Sequence, residues 1–248
     1  AMRILEAFYD ADELGVSELA RRLGLHKNNV FRLLATLEEC GYIEQSRGSD
    51  LYRLGTRCLE LGQTFYRGHT LLRRARPILD ELGDQLGESV HLGVLRDFEV
   101  VHLAGWLPES QLVLSSLRVG QRLPVHCTAL GKVLVACGDA SLRAAYDRNA
   151  SRADGLQART ETTIVDSQKL LEHLRSVAVQ GYAVDLEECA LGMRCVAAPV
   201  HDASGRVVAA ISTSGPSFRL SETALHAELL HAVSGAAGQL SRELGYIL

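Results

Sequence analysis

A chain of 248 residues has room for one large domain or for a small and a medium one. With 47% hydrophobic and 23% charged residues it has a globular make-up; no apolar run is long enough to span a bilayer and the start lacks a signal-peptide pattern, so the expected compartment is cytoplasmic. A formal net charge of −4 looks wrong for a nucleic-acid binder, but global charge is a poor test when one small domain makes the contact, and what matters is Lys and Arg gathered locally on one surface.

Taken in chain order, Ile4, Leu5 and Phe8 mark a short amphipathic helix. It opens at the very first residues, so the natural chain is expected to begin earlier. Ser17 is a good N-cap for a second helix over 18–23, with Leu19, Ala20 and Leu23 on one face and Gly24 as its left-handed C-cap. A third helix is expected from His26 or Lys27, because Val30, Leu33, Leu34 and Leu37 recur at the spacing of one buried face; Gly41 ends it. Two extended runs, 42–45 and 51–54, flank Arg47-Gly48-Ser49-Asp50, which has hairpin-turn chemistry. Helix, helix, turn, helix, hairpin is the order of a winged helix-turn-helix.

From 55 to about 86 the pattern is helical again, as a linker helix with Leu61 and Phe65 and then a second helix in which Pro77 must cause a kink or lie near the start. Strands are expected at 89–95, 100–106 and 112–114, a helix at 130–137, and an irregular polar surface loop at 148–163. Leu170, Leu171, Leu174 and Val177 mark a further helix; strands follow at 182–185, 195–201 and 207–214, the last two joined by Asp202-Ala203-Ser204-Gly205. Ser221 caps a final helix whose apolar face is Leu225, Leu229, Val233, Ala236 and Leu240. The fold class is α+β, divided as a winged helix-turn-helix at 1–54, a linker helix at 55–70 and a sensor domain at 71–248. The six cysteines, Cys40, Cys58, Cys127, Cys137, Cys189 and Cys195, include no Cys-x-x-Cys pair, which favours free thiols over a zinc ribbon or a disulfide framework.

On the third helix, Lys27, Asn28, Asn29, Phe31 and Arg32 are not needed for packing. The first turns of that helix are the part that enters the major groove in helix-turn-helix proteins. Asn offers a paired donor and acceptor to adenine, and Arg a fork to guanine or phosphate. Arg47 and Arg53 on the hairpin are placed to clamp a phosphate strand or to probe the minor groove. The competing reading is three helices that merely pack, with these residues as solvated surface, and for Arg21 and Arg22 that reading is the stronger.

Glu18-Leu19-Ala20-Arg21-Arg22-Leu23-Gly24-Leu25, then Val30-Phe31-Arg32-Leu33-Leu34, then Leu37 through Gly41-Tyr42 resemble the DNA-binding half of the IclR family of transcription regulators. The second half carries the resemblance in Leu123-Pro124-Val125-His126-Cys127-Thr128-Ala129-Leu130-Gly131-Lys132, in Gly181-Tyr182-Ala183-Val184-Asp185-Leu186-Glu187-Glu188 through Gly192 and Cys195 to Pro199, and in Ile211-Ser212-Thr213-Ser214-Gly215-Pro216. The resemblance implies a winged helix-turn-helix, a dimerising linker helix, a GAF-like effector domain, and homodimers or dimers of dimers on double-stranded operator DNA. It departs at His26, where relatives often carry Pro, and at Asn28-Asn29, where they often carry Ser-Thr, so the operator sequence does not carry over. It also implies effector contacts at Leu112, Ala129, Leu130, Asp185, Cys195, Ser212 and Ser214.

The residues themselves point to a binding site near Thr128. A helix that starts there leaves backbone N–H groups suited to a carboxylate, which needs no arginine in that position. Leu112, Leu114 and Trp106 are candidates for an apolar wall. Taken one at a time, Ser212 and Ser214 also fit as tolerated core hydroxyls, Asp185 as a turn residue and Cys195 as a buried thiol. An enzyme using His126 and Cys127 fails because neighbours on a strand face opposite ways, Cys195 with His201 is too widely spaced, and His126 lacks partners for a metal. A protein-interaction module without ligand is the third possibility. The expectation is a regulator, not an enzyme, without cofactor or metal, that senses a small carboxylate and acts more as repressor than as activator.

Overall fold

The computed structural model describes residues 1–108, 119–151 and 156–247. Two compact units emerge, Ala1–Thr70 and Leu71–Leu248, each with a core of its own.

In the first unit, α1 (Met2–Glu6), β1 (Leu14–Gly15), α2 (Val16–Leu23), α3 (Lys27–Glu39), β2 (Ile43–Gln45), β3 (Leu51–Leu54) and α4 (Thr56–Gly68) follow in order. Ile4, Phe8, Leu19, Val30, Leu34, Leu37, Ile43 and Tyr52 close one apolar core, so the i, i+4, i+7 stripe of α3 is the seam that fixes its rotation. Gly24 ends α2 at φ 65, with its N–H on the Ala20 carbonyl. The expected Ser17 cap is not made: α2 begins at Val16 with Gly15 as N-cap and no capping side chain. The reason is β1, whose Leu14 and Gly15 pair with Tyr52 and Leu51 and set the helix start from the sheet. β2 and β3 form the hairpin, Gln45 opposite Tyr52, with Gly48 at φ 78 in the turn. On α4 no residue is buried, and Leu59, Leu61 and Phe65 are exposed.

The second unit is built on an antiparallel sheet ordered β6-β5-β4-β9-β8-β7. Its elements are α5 (Thr70–Leu86), β4 (Ser89–Arg96), β5 (Glu99–Trp106), β6 (Arg122–Pro124), α6 (Ala129–Ala136), α7 (Ala140–Ala150), α8 (Ser167–Gln180), β7 (Ala183–Leu186), β8 (Met193–His201) and β9 (Val207–Pro216). The chain then runs through α9 (Glu222–Ala224), a π-helical turn at Leu225–Leu229 and α10 (Leu230–Glu243). α6, α7 and α8 cover one face of the sheet, sharing a core with Ala183, Ala197 and Ala210, while α10 lies along β8 and β9. Pro77 sits inside an unbroken α5, where it withholds a donor from the preceding turn. The polar stretch from 148 begins as the end of α7, a helix with little apolar periodicity that Asp139 caps through Leu142 N at 2.7 Å. Its later part is tied down by a buried Thr163, whose hydroxyl donates to the Glu188 carbonyl at 2.7 Å. The expected strand at 112–114 lies outside the described residues. Among the described residues no helix is long and apolar enough to cross a membrane.

Candidate functional site

Because Val30, Leu34 and Leu37 turn inward, the other side of α3 is left to solvent. Lys27, Asn28, Asn29, Phe31 and Arg32 are all exposed, Phe31 by 57%. Among the described residues nothing pairs with Lys27, Arg32 or Arg47. Arg21 and Arg22 differ: both bind Glu18, and Arg22 also reaches Asp10 at 2.8 Å. These pairs hold the Glu18 carboxyl down to about 2. Arg53 is intermediate, exposed but paired with Glu44 at 2.7 Å. An apolar side chain and two free cations on the first turns of one exposed helix make a surface suited to phosphates and base edges.

The second site is a cavity of about 240 Å³ inside the unit 71–248, and strand register explains how it is lined. Asp185 pairs with Cys195, Cys195 with Ser214, and Ser212 with His91. Directly opposed residues share a face, and so do residues two apart, so all five project from one side of the sheet. That side is the one covered by α6. Gly93 allows the closest approach, since a Cβ there would meet Leu130 Cδ1 at 3.1 Å and Val100 Cγ1 at 2.9 Å. Ala129, Leu130, Asp185, Cys195, Ser212 and Ser214 therefore line one cavity, whereas Leu112 falls outside the described residues.

Trp106 does not contribute to the wall. A bulge at Leu92/Gly93 puts Ala104 opposite Leu92 but His102 opposite Gly93, leaving Leu103 as the extra residue. Beyond the bulge the alternation of β5 is inverted. Trp106 consequently packs over Gly83 of α5, so closely that a Cβ on that glycine would lie 2.2 Å from the indole.

The mouth of α6 is shaped as its sequence suggests. The Thr128 hydroxyl donates to the Pro124 carbonyl at 2.8 Å and accepts from Gly131 N at 3.2 Å. Capping takes the third N–H of the helix, and the first two, of Ala129 and Leu130, belong to residues on the cavity. Asp185 serves the fold as well. One carboxylate oxygen accepts from Glu188 N at 2.7 Å and Cys189 N at 3.3 Å, holding a loop in which Glu187 is left-handed at φ 66. Burial raises its carboxyl to about 7, against the opposing effect of nearby Lys132 and those amides. Lys132 itself is wholly enclosed and paired with Glu188 at 2.5 Å.

Sequence reasoning missed His91, His102, Gln121, Arg159, Cys189 and Met193, all of which line the cavity. The two histidines were within reach: Asp97 and Phe98 form a two-residue hairpin turn, both with positive φ, and tight pairing from it sets His91 and His102 on the same face. Their rings lie 5.1 Å apart, and His91 Nε2 bonds Ser214 Oγ at 2.8 Å. Burial keeps both imidazoles neutral, lowering His91 to about 3 and His102 to about 4. Arg159 had no such signal because it comes from the polar stretch after α7; its Nε donates to the Cys189 carbonyl at 3.1 Å. An arginine therefore does stand at this cavity, although the helix start alone was expected to suffice for a carboxylate. His126 and Cys127 lie beyond the end of β6, both buried, with His126 Nε2 on the Gln157 carbonyl at 3.0 Å and the Cys127 thiol against Cys189. They make no dyad.

The family model for the IclR helix-turn-helix domain matches residues 1–47, and that for the C-terminal domain of bacterial IclR transcriptional regulators matches 63–242. The transcriptional regulator XynR of Escherichia coli K12 is 36% identical over 99% of this chain and 96% of its own length. The glycerol operon regulatory protein of Streptomyces coelicolor is 38% identical over 94% of this chain and 89% of its own. A crystal structure of an IclR homologue from Microbacterium hydrocarbonoxydans, complexed with 4-hydroxybenzoate, superposes with a TM-score of 0.81 at 25% identity, covering 98% and 96% of the two chains.

Proposed function

The chain belongs to the IclR family of bacterial transcriptional regulators, and from that membership we propose that it reads operator DNA with α3 and senses a small organic acid in the 240 Å³ cavity. Lys27, Asn28, Asn29, Phe31 and Arg32 are the reading residues, and Arg47 and Arg53 on the hairpin hold phosphates. The regulator acts in the cytoplasm as a repressor and as a homodimer or dimer of dimers. Support for self-association comes from α4, which exposes Leu61 and Phe65 one turn apart. On this reading residues 55–70 link the DNA-binding part, 1–54, to a GAF-like effector part, 71–248.

The observation that carries the effector assignment is the convergence of unlike polar groups on one enclosed space. The N–H groups at the start of α6, the Ser212 and Ser214 hydroxyls of β9, the Asp185 carboxyl of β7 and the Arg159 guanidinium from the stretch after α7 come from four separate parts of the chain with no shared need to meet. The helix start and Arg159 suit a carboxylate, and Leu112 is assigned to the same pocket by the resemblance alone. Binding of 4-hydroxybenzoate by the Microbacterium relative fits an acid of that size. For the acid to regulate, it must bind the operator-competent and operator-incompetent arrangements with different affinity.

The test is capture of genomic fragments with the purified protein, then anisotropy titration of a captured operator with and without a panel of carboxylate metabolites. An acid that shifts the wild-type operator curve should fail to do so with Ser214→Leu, which fills the cavity, while that variant still binds the operator. If the acid acts equally on Ser214→Leu, the effector lies elsewhere.

A further inference from the structure

The six cysteines are all free thiols, and two of them touch. Cys127 Sγ and Cys189 Sγ are in hydrogen-bond contact, the first residue fully enclosed and the second part-exposed on the wall of the cavity. Neither backbone is free to drift. Cys127 lies in the turn that delivers Thr128, whose hydroxyl spans the Pro124 carbonyl and Gly131 N. Cys189 donates its N–H to Asp185 Oδ1 at 3.3 Å and accepts at its carbonyl from Arg159 Nε at 3.1 Å, while Thr163 holds the preceding Glu188 carbonyl at 2.7 Å. A disulfide forms only between sulfurs that can meet without backbone rearrangement, and two thiols kept in contact by fixed backbones satisfy that demand.

The surroundings give the two sulfurs unlike roles. Cys127 donates to Cys189, which lowers the Cys189 thiol with help from Arg159, against burial and the Asp185 charge; the same contact and burial push Cys127 well up. Cys195, a third thiol on the cavity, is pushed up by burial and by Asp185. The thiolate is the form that attacks peroxides, so oxidation selects a sulfur that faces a cavity beside a cation. We propose that Cys127 and Cys189 are a redox-active pair, through which a small hydroperoxide entering the cavity closes a disulfide between the start of α6 and the loop after β7. The Cys189 thiolate attacks the terminal oxygen of the hydroperoxide; an S–O bond forms, the O–O bond breaks, and the leaving alkoxide or hydroxide takes a proton from water. Cys127 then attacks the Cys189 sulfur, so that the S–S bond forms, the S–O bond breaks, and hydroxide leaves as water with the Cys127 proton. Two electrons pass from the sulfurs to the peroxide, and a dithiol reductant returns them. The bond ties residue 127, just before the α6 amides, to residue 189, whose carbonyl holds Arg159, and so fixes two sides of the cavity in one shape. It is an input to the regulator separate from the acid proposed above and stands without it.

The test treats the reduced full-length protein with equimolar hydrogen peroxide and follows its thiols by mass spectrometry. The protein mass should fall by about 2 Da, and the peptide linked through Cys127 and Cys189 should form about tenfold or more faster than any adduct on the exposed Cys40. Dithiothreitol should restore both thiols. Cys127→Ser should stop the reaction at a sulfenic acid on Cys189, trapped by dimedone, and Cys189→Ser should abolish both the link and the fast consumption of peroxide. In the oxidised wild type, hydrogen exchange should slow at the amides of 127–131 and 187–190. Oxidation of Cys40 ahead of the pair, or a sulfinic acid on Cys189 beside a reduced Cys127, overturns the proposal, and both are read in the wild type without any variant. Hydrogen exchange that is the same in both states overturns the effect on the cavity. None of these readouts uses an acid or an operator, so their failure leaves the effector reading standing.

Discussion

On the first turns of α3, Lys27 and Arg32 stand in solvent with no partner among the described residues, whereas Lys132 on α6 is wholly enclosed and locked to Glu188 at 2.5 Å. In sequence Arg32 and Lys132 look alike, each beside apolar residues in a helix. An exposed cation remains hydrated while unpaired and is free to neutralise a phosphate. A buried one must be paired where it stands, so it becomes part of the framework and is lost to any ligand. The same contrast separates Asn28 and Asn29, which face water, from Ser212 and Ser214, whose surroundings are already built. Burial therefore decides whether a polar residue here reads a partner or holds up a cavity.

The largest expected effect comes from breaking the buried side of this contrast. Lys132→Met leaves Glu188 enclosed with neither oxygen paired, because its second oxygen already lacks a hydrogen-bond partner among the described residues. Removing one member of a buried ion pair destabilises a fold by about 3–5 kcal/mol. Urea denaturation followed by near-ultraviolet circular dichroism should show a loss of that size. A loss below about 1 kcal/mol would mean that water reaches Lys132 and that the contrast in burial is overstated.

A second effect is seen in pH, where two groups on one cavity pull in opposite directions. Burial raises Asp185 to about 7, so the stability it contributes is complete below its unfolded value near 3.8 and is lost as pH rises through 7. His91 and His102 are lowered, so their contribution is complete above about 6.5 and is lost as pH falls through about 4 and about 3. Stability of the wild type should thus fall away on both sides of a maximum. Asp185→Asn keeps an acceptor for the Glu188 and Cys189 amides and removes a decline that opposes the histidines, so it should steepen the rise below about pH 6.5 and flatten the fall from there to about 7. His102→Gln should make the rise between about pH 4 and 6.5 shallower and leave the fall above it unchanged. A profile in which Asp185→Asn leaves the rise below about pH 6.5 unchanged, or His102→Gln alters the fall above it, would overturn this assignment of the two effects.

The architecture was legible where apolar periodicity was strong: the stripe of α3, the paired runs around 47–50 and the strands at 183–186, 193–201 and 207–216 all follow from local pattern. Of the seven residues that the resemblance assigns to an effector, the six within the described residues line one cavity: register sets Asp185, Cys195, Ser212 and Ser214 on one sheet face, and α6 brings Ala129 and Leu130 to it. The rest depended on events that pattern does not record. A single extra residue in β5 swings Trp106 away from the cavity, and no local propensity marks Leu103 as that residue. α7 escaped because its buried residues are only Tyr146 and Ala150, too few for a stripe. Arg159 escaped because a polar irregular stretch shows nothing of where its side chains return. His91 and His102 could have been paired from the tight turn between their strands, had the hairpin register been drawn.

The smallest effects belong to the exposed side, and they rank the helix against the hairpin. Arg32 has no partner to give up and lies on the helix assigned to the major groove, so Arg32→Ala should weaken operator binding by about 1–3 kcal/mol and relax base preference at one position of each half-site. Arg53 is already engaged with Glu44 in an exposed pair of the kind worth about 0–1 kcal/mol, and binding DNA means exchanging that partner for a phosphate. Arg53→Ala should therefore weaken binding by less than about 1 kcal/mol, equally for operator and unrelated duplex, and lower the slope of log affinity against log salt by about one. Anisotropy titrations at several salt concentrations, on operator and on scrambled duplex, measure all of these quantities. Glu44→Gln sharpens the comparison, because freeing Arg53 should strengthen binding at low salt and steepen the slope. If Arg53→Ala costs more than Arg32→Ala and does so on operator alone, then the hairpin reads sequence and α3 is the supporting element.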